Sequence, residues 1–120
     1  MSGRGTLGRV SEQVEWLTVP DVADRLGVPV TRVHQLLREG GLAGRREGGV
    51  LRVPAGFLHG NSVVKGLAGV LTLLHDGGYD DDAAIRWLHT PDDSLPGTPV
   101  QALAADRGRE VKRRAQALAL

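Results

Sequence analysis

Side chains that commonly carry catalysis or bind metals are few in this 120-residue chain, and they follow no recognised spacing. Cysteine is absent, which excludes disulfides, thiolate metal sites and cysteine nucleophiles. The four histidines share no metal-ligand spacing, and the three carboxylates at 80–82 lack the pattern of a calcium loop. The sequence also lacks a phosphate-binding P-loop and the GxSxG and HExxH motifs. We therefore predict a protein with no enzymatic activity, no metal and no cofactor.

Polar side chains able to hydrogen-bond to bases are grouped on one face of a predicted helix over residues 30–39. This face carries Thr31, Gln35 and Arg38, and Arg32 flanks it and completes the predicted contact set. The opposite face is apolar and carries Val30, Val33, Leu36 and Leu37. In the major groove of DNA, glutamine pairs with adenine and arginine with guanine, each through two hydrogen bonds. The pattern predicts a helix that contacts bases and phosphates, although solvation alone also requires an exposed polar face.

Three more arginines, Arg45, Arg46 and Arg52, lie in the stretch that follows, residues 42–53. The successive segments LAGRR, EGG and VLRV predict two short strands joined by a glycine-rich turn. Arginines on such a hairpin can contact DNA phosphates or an adjacent minor groove. These three residues therefore join the predicted DNA-contacting set.

The distribution of charge supports a nucleic-acid partner, although the formal net charge is only +1. Residues 1–56 contain eight basic and six acidic residues, residues 57–105 two and six, and residues 106–120 five and two. An acidic middle thus separates two basic ends, which is typical of chains with a nucleic-acid or partner surface. Aromatic residues make up 3% of the chain, which disfavours single-strand binders that stack bases.

A shorter helix is predicted to position the helix at 30–39. Thr18 and Asp21 form a capping-box pattern at its start, and Pro20 suits its first turn. Gly27 is expected to end this helix in the left-handed conformation.

Farther along the chain, apolar spacing predicts three helices. They cover 61–75, capped by Asn61 or Ser62, then 82–89, and a long stretch from Thr98 to the C-terminus. We expect the last helix to pack against 61–75 and to be weakened or kinked at Gly108.

The stretch 19–38, VPDVADRLGVPVTRVHQLLR, resembles the helix-turn-helix DNA-binding motif. Ala23 lets the two helices approach, Gly27 makes the turn, and Val33 anchors the second helix. With its glycine-rich hairpin, 17–58 is similar to winged helix-turn-helix domains of the excisionase and MerR type. The resemblance implies that the second helix enters the major groove and that the hairpin is a wing.

The segments VVKGLAGVLTLLHDGGY and REVKRRAQALA extend a resemblance over most of the chain. They resemble an actinobacterial, mycobacterial-type family of winged helix-turn-helix DNA-binding proteins that are substrates of a Ser/Thr protein kinase. The resemblance implies a phosphorylated threonine in the N-terminal tail, and the matching residue is Thr6, in GTLGR. Phosphate there would add about −1.5 to −2 charges beside Arg4 and Arg9 and would weaken binding to DNA.

A second resemblance gives an alternative function. The segment AIRWLHTPDDSLPGTPVQAL is similar to the C-terminal signature of Xre-type antitoxins. It implies a protein-interaction module that binds a partner toxin. The N-terminal half departs from those antitoxins because it looks winged.

The sequence thus predicts a mainly α fold, a winged helix-turn-helix with a small β-hairpin wing and a C-terminal helical extension. The expected division is a flexible tail at 1–13, the winged domain at 14–58 and the extension at 59–120. The predicted function is sequence-specific binding of double-stranded DNA by a transcriptional regulator, modulated by tail phosphorylation, with toxin binding as the alternative. The chain has no membrane span and no signal peptide, so we expect a cytoplasmic protein. Monomer and homodimer both stay open.

Overall fold

The computed structural model describes residues 14–118, so the predicted tail at 1–13 and Thr6 lie outside it. Within this range there are six α-helices, five short strands and one 3-10 helix. The helices are α1 (Val19–Leu26), α2 (Val30–Glu39), α3 (Leu67–Asp76), α4 (Asp81–Leu88), α5 (Pro99–Ala104) and α6 (Gly108–Leu118). The strands are β1 (Trp16–Thr18), β2 (Arg45–Glu47), β3 (Val50–Pro54), β4 (Leu58–His59) and β5 (Ser62–Val63), and the 3-10 helix is Ala55–Phe57.

The predicted helix pair is confirmed, including its caps. The Thr18 hydroxyl accepts a hydrogen bond from the Asp21 amide, and the Asp21 carboxylate accepts one from the Thr18 amide, both at 3.3 Å. Gly27 ends α1 at a φ of 69°, a left-handed conformation that glycine adopts without strain. Ala23 and Val33 are buried between α1 and α2. The turn at Gly27 therefore sets the angle between α1 and α2.

The hairpin is also confirmed, and it belongs to a larger sheet than the sequence indicated. Its strands β2 and β3 pair antiparallel around a turn at Gly48 and Gly49, both with positive φ. Strand β1 pairs antiparallel with the other edge of β3, so the order in the sheet is β1-β3-β2. We call β2, β3 and their turn the wing.

The predicted start of the helix at 61–75 is wrong. Ser62 and Val63 instead form β5, which pairs with β4 around a turn where Gly60 has a φ of 63°. The helix α3 begins only at Leu67, because Gly66 precedes it at a φ of 86°, which is incompatible with continuing the helix backward.

The predicted continuous helix from Thr98 to the C-terminus is also wrong, because it is two helices. The break lies between α5 and α6, where Asp106 adopts a left-handed φ of 67°. The Arg107 amide then donates to the Ala102 carbonyl at 2.8 Å and closes the end of α5. The expected packing is confirmed, since α6 lies against α3 and buries Val111 and Ala115.

One hydrophobic core joins the winged part to the C-terminal helices. Phe57, at the end of the 3-10 helix, is fully buried, as are Leu71 and Leu74 on α3 and Leu88 on α4. No helix between residues 14 and 118 is both long enough and apolar enough to cross a membrane. The core holds α1, and through it α2, against the rest of the chain.

Candidate nucleic-acid interface

Helix α2 presents the predicted polar face away from the core. Thr31, Arg32 and Arg38 are exposed and Gln35 is half-buried, whereas Val33 on the other side is fully buried. The N-cap of α2 is Pro29, which provides no side-chain hydrogen bond to the first turn. The first turn of α2 is therefore open to a ligand, in addition to the polar outer face of the helix.

Glu39 engages two of these side chains. Its carboxylate accepts a hydrogen bond from the Gln35 amide at 3.0 Å and lies 4.0 Å from the Arg32 guanidinium. Exposed pairs of this kind contribute about 0.2–1 kcal/mol, so a base or a phosphate can displace them at little cost. Arg38 forms no ion pair with any residue of the described range.

The apolar face of α2 is narrower than predicted, because Val30 is not part of the core. Its exposed fraction is 40%, and it borders a shallow surface depression together with Pro20, Ala23 and Asp24 of α1. An exposed valine at the start of this helix can contact the thymine methyl group, the apolar feature of the major groove. Sequence reasoning missed this residue because it matched the helical spacing of the buried positions.

The three wing arginines lie on two faces of the sheet. Arg45 and Arg52 are cross-strand partners, so their side chains share one face. Arg46 pairs with Leu51, on the face that carries the buried Val53 and packs against α1. The structure therefore brings Arg46 to the helical side of the wing and separates it from the other two.

Arg45 is occupied by contacts within the protein. Its guanidinium lies 4.9 Å from the ring centroid of Trp16, 3.0 Å from the Glu47 carboxylate and 4.0 Å from the Asp82 carboxylate at the start of α4. A phosphate contact by Arg45 requires it to leave these partners. Arg46 is exposed and has a single long hydrogen bond, 3.4 Å to the Gly49 carbonyl.

Comparisons with known proteins cover both halves of the chain. Residues 9–58 match the family model described as "DNA-binding protein Rv2175c, wHTH domain". Residues 64–119 match the model described as "Rv2175c C-terminal domain of unknown function". The two matches meet in the short β4–β5 hairpin region, between the winged part and α3.

A curated protein and a solved structure are similar to the chain. The protein is "DNA-binding protein Rv2175c" of Mycobacterium tuberculosis (strain ATCC 25618 / H37Rv), 52% identical over 114 residues. That alignment covers 84% of this chain and 78% of the relative. The structure, described as "NMR structure of Rv2175c", has a TM-score of 0.80 and 40% sequence identity, and it covers 100% of both chains.

Proposed function

The chain belongs to the Rv2175c family of winged helix-turn-helix proteins, and from this premise we propose that it binds double-stranded DNA sequence-specifically as a transcriptional regulator. The observation that carries the proposal is the exposed face of α2, with Thr31, Arg32 and Arg38 outward and Val33 anchored beneath. The relative's name, DNA-binding protein, supports the same function. We propose a binding protein rather than an enzyme, and because its ligand is the chromosome we expect it in the cytoplasm.

The proposed mechanism places α2 in the major groove with its N-terminal turn toward the bases. Gln35 would pair with an adenine, and Arg32 or Arg38 with a guanine. Arg46 would contact a phosphate beside the groove. Arg45 and Arg52 were predicted as further contacts, and we assign them a weaker share because their face of the wing is turned toward Trp16.

The experiment is selection of bound fragments from a random duplex library, followed by fluorescence anisotropy on the selected site. Arg38→Ala should weaken binding by roughly 5- to 150-fold, since one bidentate pair with a base contributes about 1–3 kcal/mol of discrimination. Arg86→Ala is the matched control, because Arg86 is an exposed arginine on α4. Absence of duplex binding by the wild type at low salt would overturn the proposal.

We also propose that a Ser/Thr kinase phosphorylates Thr6 and thereby weakens DNA binding. Support comes from the family resemblance and from the chemistry of the tail, where a phosphate would offset Arg4 and Arg9. The test is phosphate transfer by a mycobacterial-type kinase to the full chain and to Thr6→Ala, with Ser11→Ala as the control hydroxyl. Equal phosphorylation of Thr6→Ala and wild type would remove the site.

The antitoxin-like alternative stays a prediction. Its segment, residues 84–103, lies within the match to the C-terminal domain of unknown function, whose description assigns no partner. The division into a winged domain at 14–58 and an extension at 59–120 is likewise a proposal. Copurification of a stable toxin with the full chain would favour the alternative.

A further inference from the structure

A groove in the C-terminal half collects basic side chains from two parts of the chain. Its floor and walls come from the residues just before α3 and from the first turns of α6, and its volume is about 610 Å³. Four cations line it, Lys65, Arg107, Arg109 and Lys112, together with two carboxylates, Asp106 and Glu110, so its charged lining carries an excess of two positive charges. We call this set the basic groove.

Three of the four cations in the basic groove are free of ion pairs within the described residues. Arg107 pairs with Glu110 at 3.1 Å, whereas Lys65, Arg109 and Lys112 form no ion pair with any residue of 14–118. All three are exposed. The wing differs in this respect, because Arg45 is held by Trp16 and two carboxylates. Within residues 14–118 the basic groove thus has three cations without an ion pair, and the wing has two, Arg46 and Arg52.

The stem of Lys112 passes close over a glycine, Gly69, on the neighbouring helix. Its Cε atom lies 3.3 Å from the position that a Cβ on Gly69 would occupy, so the stem crosses α3 where that helix has no side chain. A lysine that packs its stem in this way keeps its ammonium group at the rim of the groove. This close approach ties one of the four cations to the fold.

The lining of the groove selects among anionic ligands. No aromatic side chain among residues 14–118 lines it, so this part of the chain provides no surface there on which a base could stack. Among the described residues, Leu103 is the one large apolar side chain that lines it, which is too little for the apolar face of a partner helix. Cations without stacking or apolar anchors suit the sugar-phosphate backbone of a duplex.

We propose that the basic groove is a second contact surface for the phosphate backbone of the DNA bound by α2. The inference rests on the proposed function. It assigns to the C-terminal half a part of the affinity for DNA that does not depend on the base sequence. A chain with a formal net charge of +1 has little overall attraction for DNA, so a local cluster of cations matters more.

The experiment compares two double variants that change the net charge equally. Arg109→Gln with Lys112→Gln removes two groove cations, and Arg86→Gln with Arg113→Gln removes two exposed arginines that do not line the groove. Binding to the selected duplex is measured from 50 to 300 mM salt for both variants, the wild type and Arg38→Ala. Hydroxyl-radical footprints of the four complexes are recorded alongside, and thermal melts check that each variant is folded.

The plot of log K against log salt should be shallower for the groove variant than for wild type. Its negative slope should shrink in magnitude by about 1.8, since each of the two lost phosphate contacts contributes about 0.9. It should also lose protection at backbone positions that Arg38→Ala still protects. Equal slope changes in the two double variants would overturn the proposal, because they would indicate long-range attraction only. An unchanged slope in the groove variant would also overturn it while leaving binding by α2 intact. Failure of the wild type to bind any duplex would instead remove both this inference and the proposed function.

Discussion

The guanidinium of Arg45 stacks on the ring of Trp16, with its central carbon 4.9 Å from the ring centroid. The two residues lie on the outer strands of the three-stranded sheet, so the contact crosses β3. Arg45 also reaches Asp82 on α4, 4.0 Å away. One side chain thus connects the wing, the first strand and the C-terminal helices.

Replacing Arg45 with alanine should therefore lower stability. The loss should be at least about 0.5–1 kcal/mol, the usual contribution of an exposed cation–π contact, because the ion pairs with Glu47 and Asp82 are lost as well, and the fluorescence of Trp16 should change. Chemical denaturation measures the loss. Arg46→Ala is the control, since a 3.4 Å hydrogen bond to the Gly49 carbonyl is the one polar contact of the Arg46 side chain with the described residues. If Arg46→Ala destabilises the protein as much as Arg45→Ala, the stacking contact is not responsible.

Glu39→Gln should tighten DNA binding. The substitution releases Arg32 and weakens the hold on Gln35, and it removes a negative charge from the face proposed to meet phosphates. We expect about 1.4- to fivefold higher affinity, because exposed pairs of this kind are worth roughly 0.2–1 kcal/mol. Anisotropy titrations at one salt concentration measure it. Asp93→Asn removes the same charge from an exposed loop position and should leave the affinity nearly unchanged.

Val30 should read a thymine methyl group. Replacing the contacted thymine with deoxyuracil removes the methyl and leaves every hydrogen bond, so wild-type affinity should fall about fourfold at one position of the site. Val30→Ser should bind both duplexes equally. Val50→Ser is the matched control, because Val50 is an exposed valine on the wing, 42% exposed against 40% for Val30. A wild-type protein that tolerates deoxyuracil at every position of the site has no such contact.

The winged region was predictable because its signals are local. Thr18, Asp21 and Gly27 mark the ends of α1 within a few residues, and two adjacent glycines mark the turn of the wing. The spacing of apolar residues within α2 is also a local signal, and it predicted which face of this helix is exposed. Strand β1 was not foreseen, because three residues carry no periodicity and their pairing with β3 is distant in sequence.

The errors have equally specific causes. Val63 and Val64 fit a helical apolar stripe, but the turn at Gly60 places them in and just after β5. The break before α6 occurs at Asp106, which adopts a left-handed conformation. Glycine adopts that conformation more readily than aspartate, so the sequence pointed to the nearby Gly108 as the place where the helix would be disturbed. Arg45 contacts Trp16 and Asp82, which lie far from it in the sequence. These contacts form only when the three segments meet in the fold, so the spacing of residues along the chain could not predict them.

His89 should make the stability of the fold depend on pH. Its Nδ1 lies 2.8 Å from the Ile85 carbonyl, which only accepts, so Nδ1 carries the proton and Nε2 is left as a buried acceptor. The ring packs against Phe57 and, within the described residues, Nε2 has no hydrogen-bond partner. Burial lowers the pKa of His89 below its usual 6.5, and this outweighs the opposing effect of the bond to Ile85. The folded state therefore resists a second proton that the unfolded chain accepts.

Stability should consequently fall as the pH drops below about 6.5, because only the unfolded state then gains this proton. The fall should continue until the pH reaches the lowered pKa of the folded state, with a slope from this one group of at most about 1.4 kcal/mol per pH unit. Denaturation curves between pH 5 and pH 8 measure the slope for wild type and His89→Gln. The variant should lose part of the slope, whereas His34→Gln, which removes an exposed imidazole, should keep it. Identical slopes in wild type and His89→Gln would show that the buried ring does not control this pH dependence.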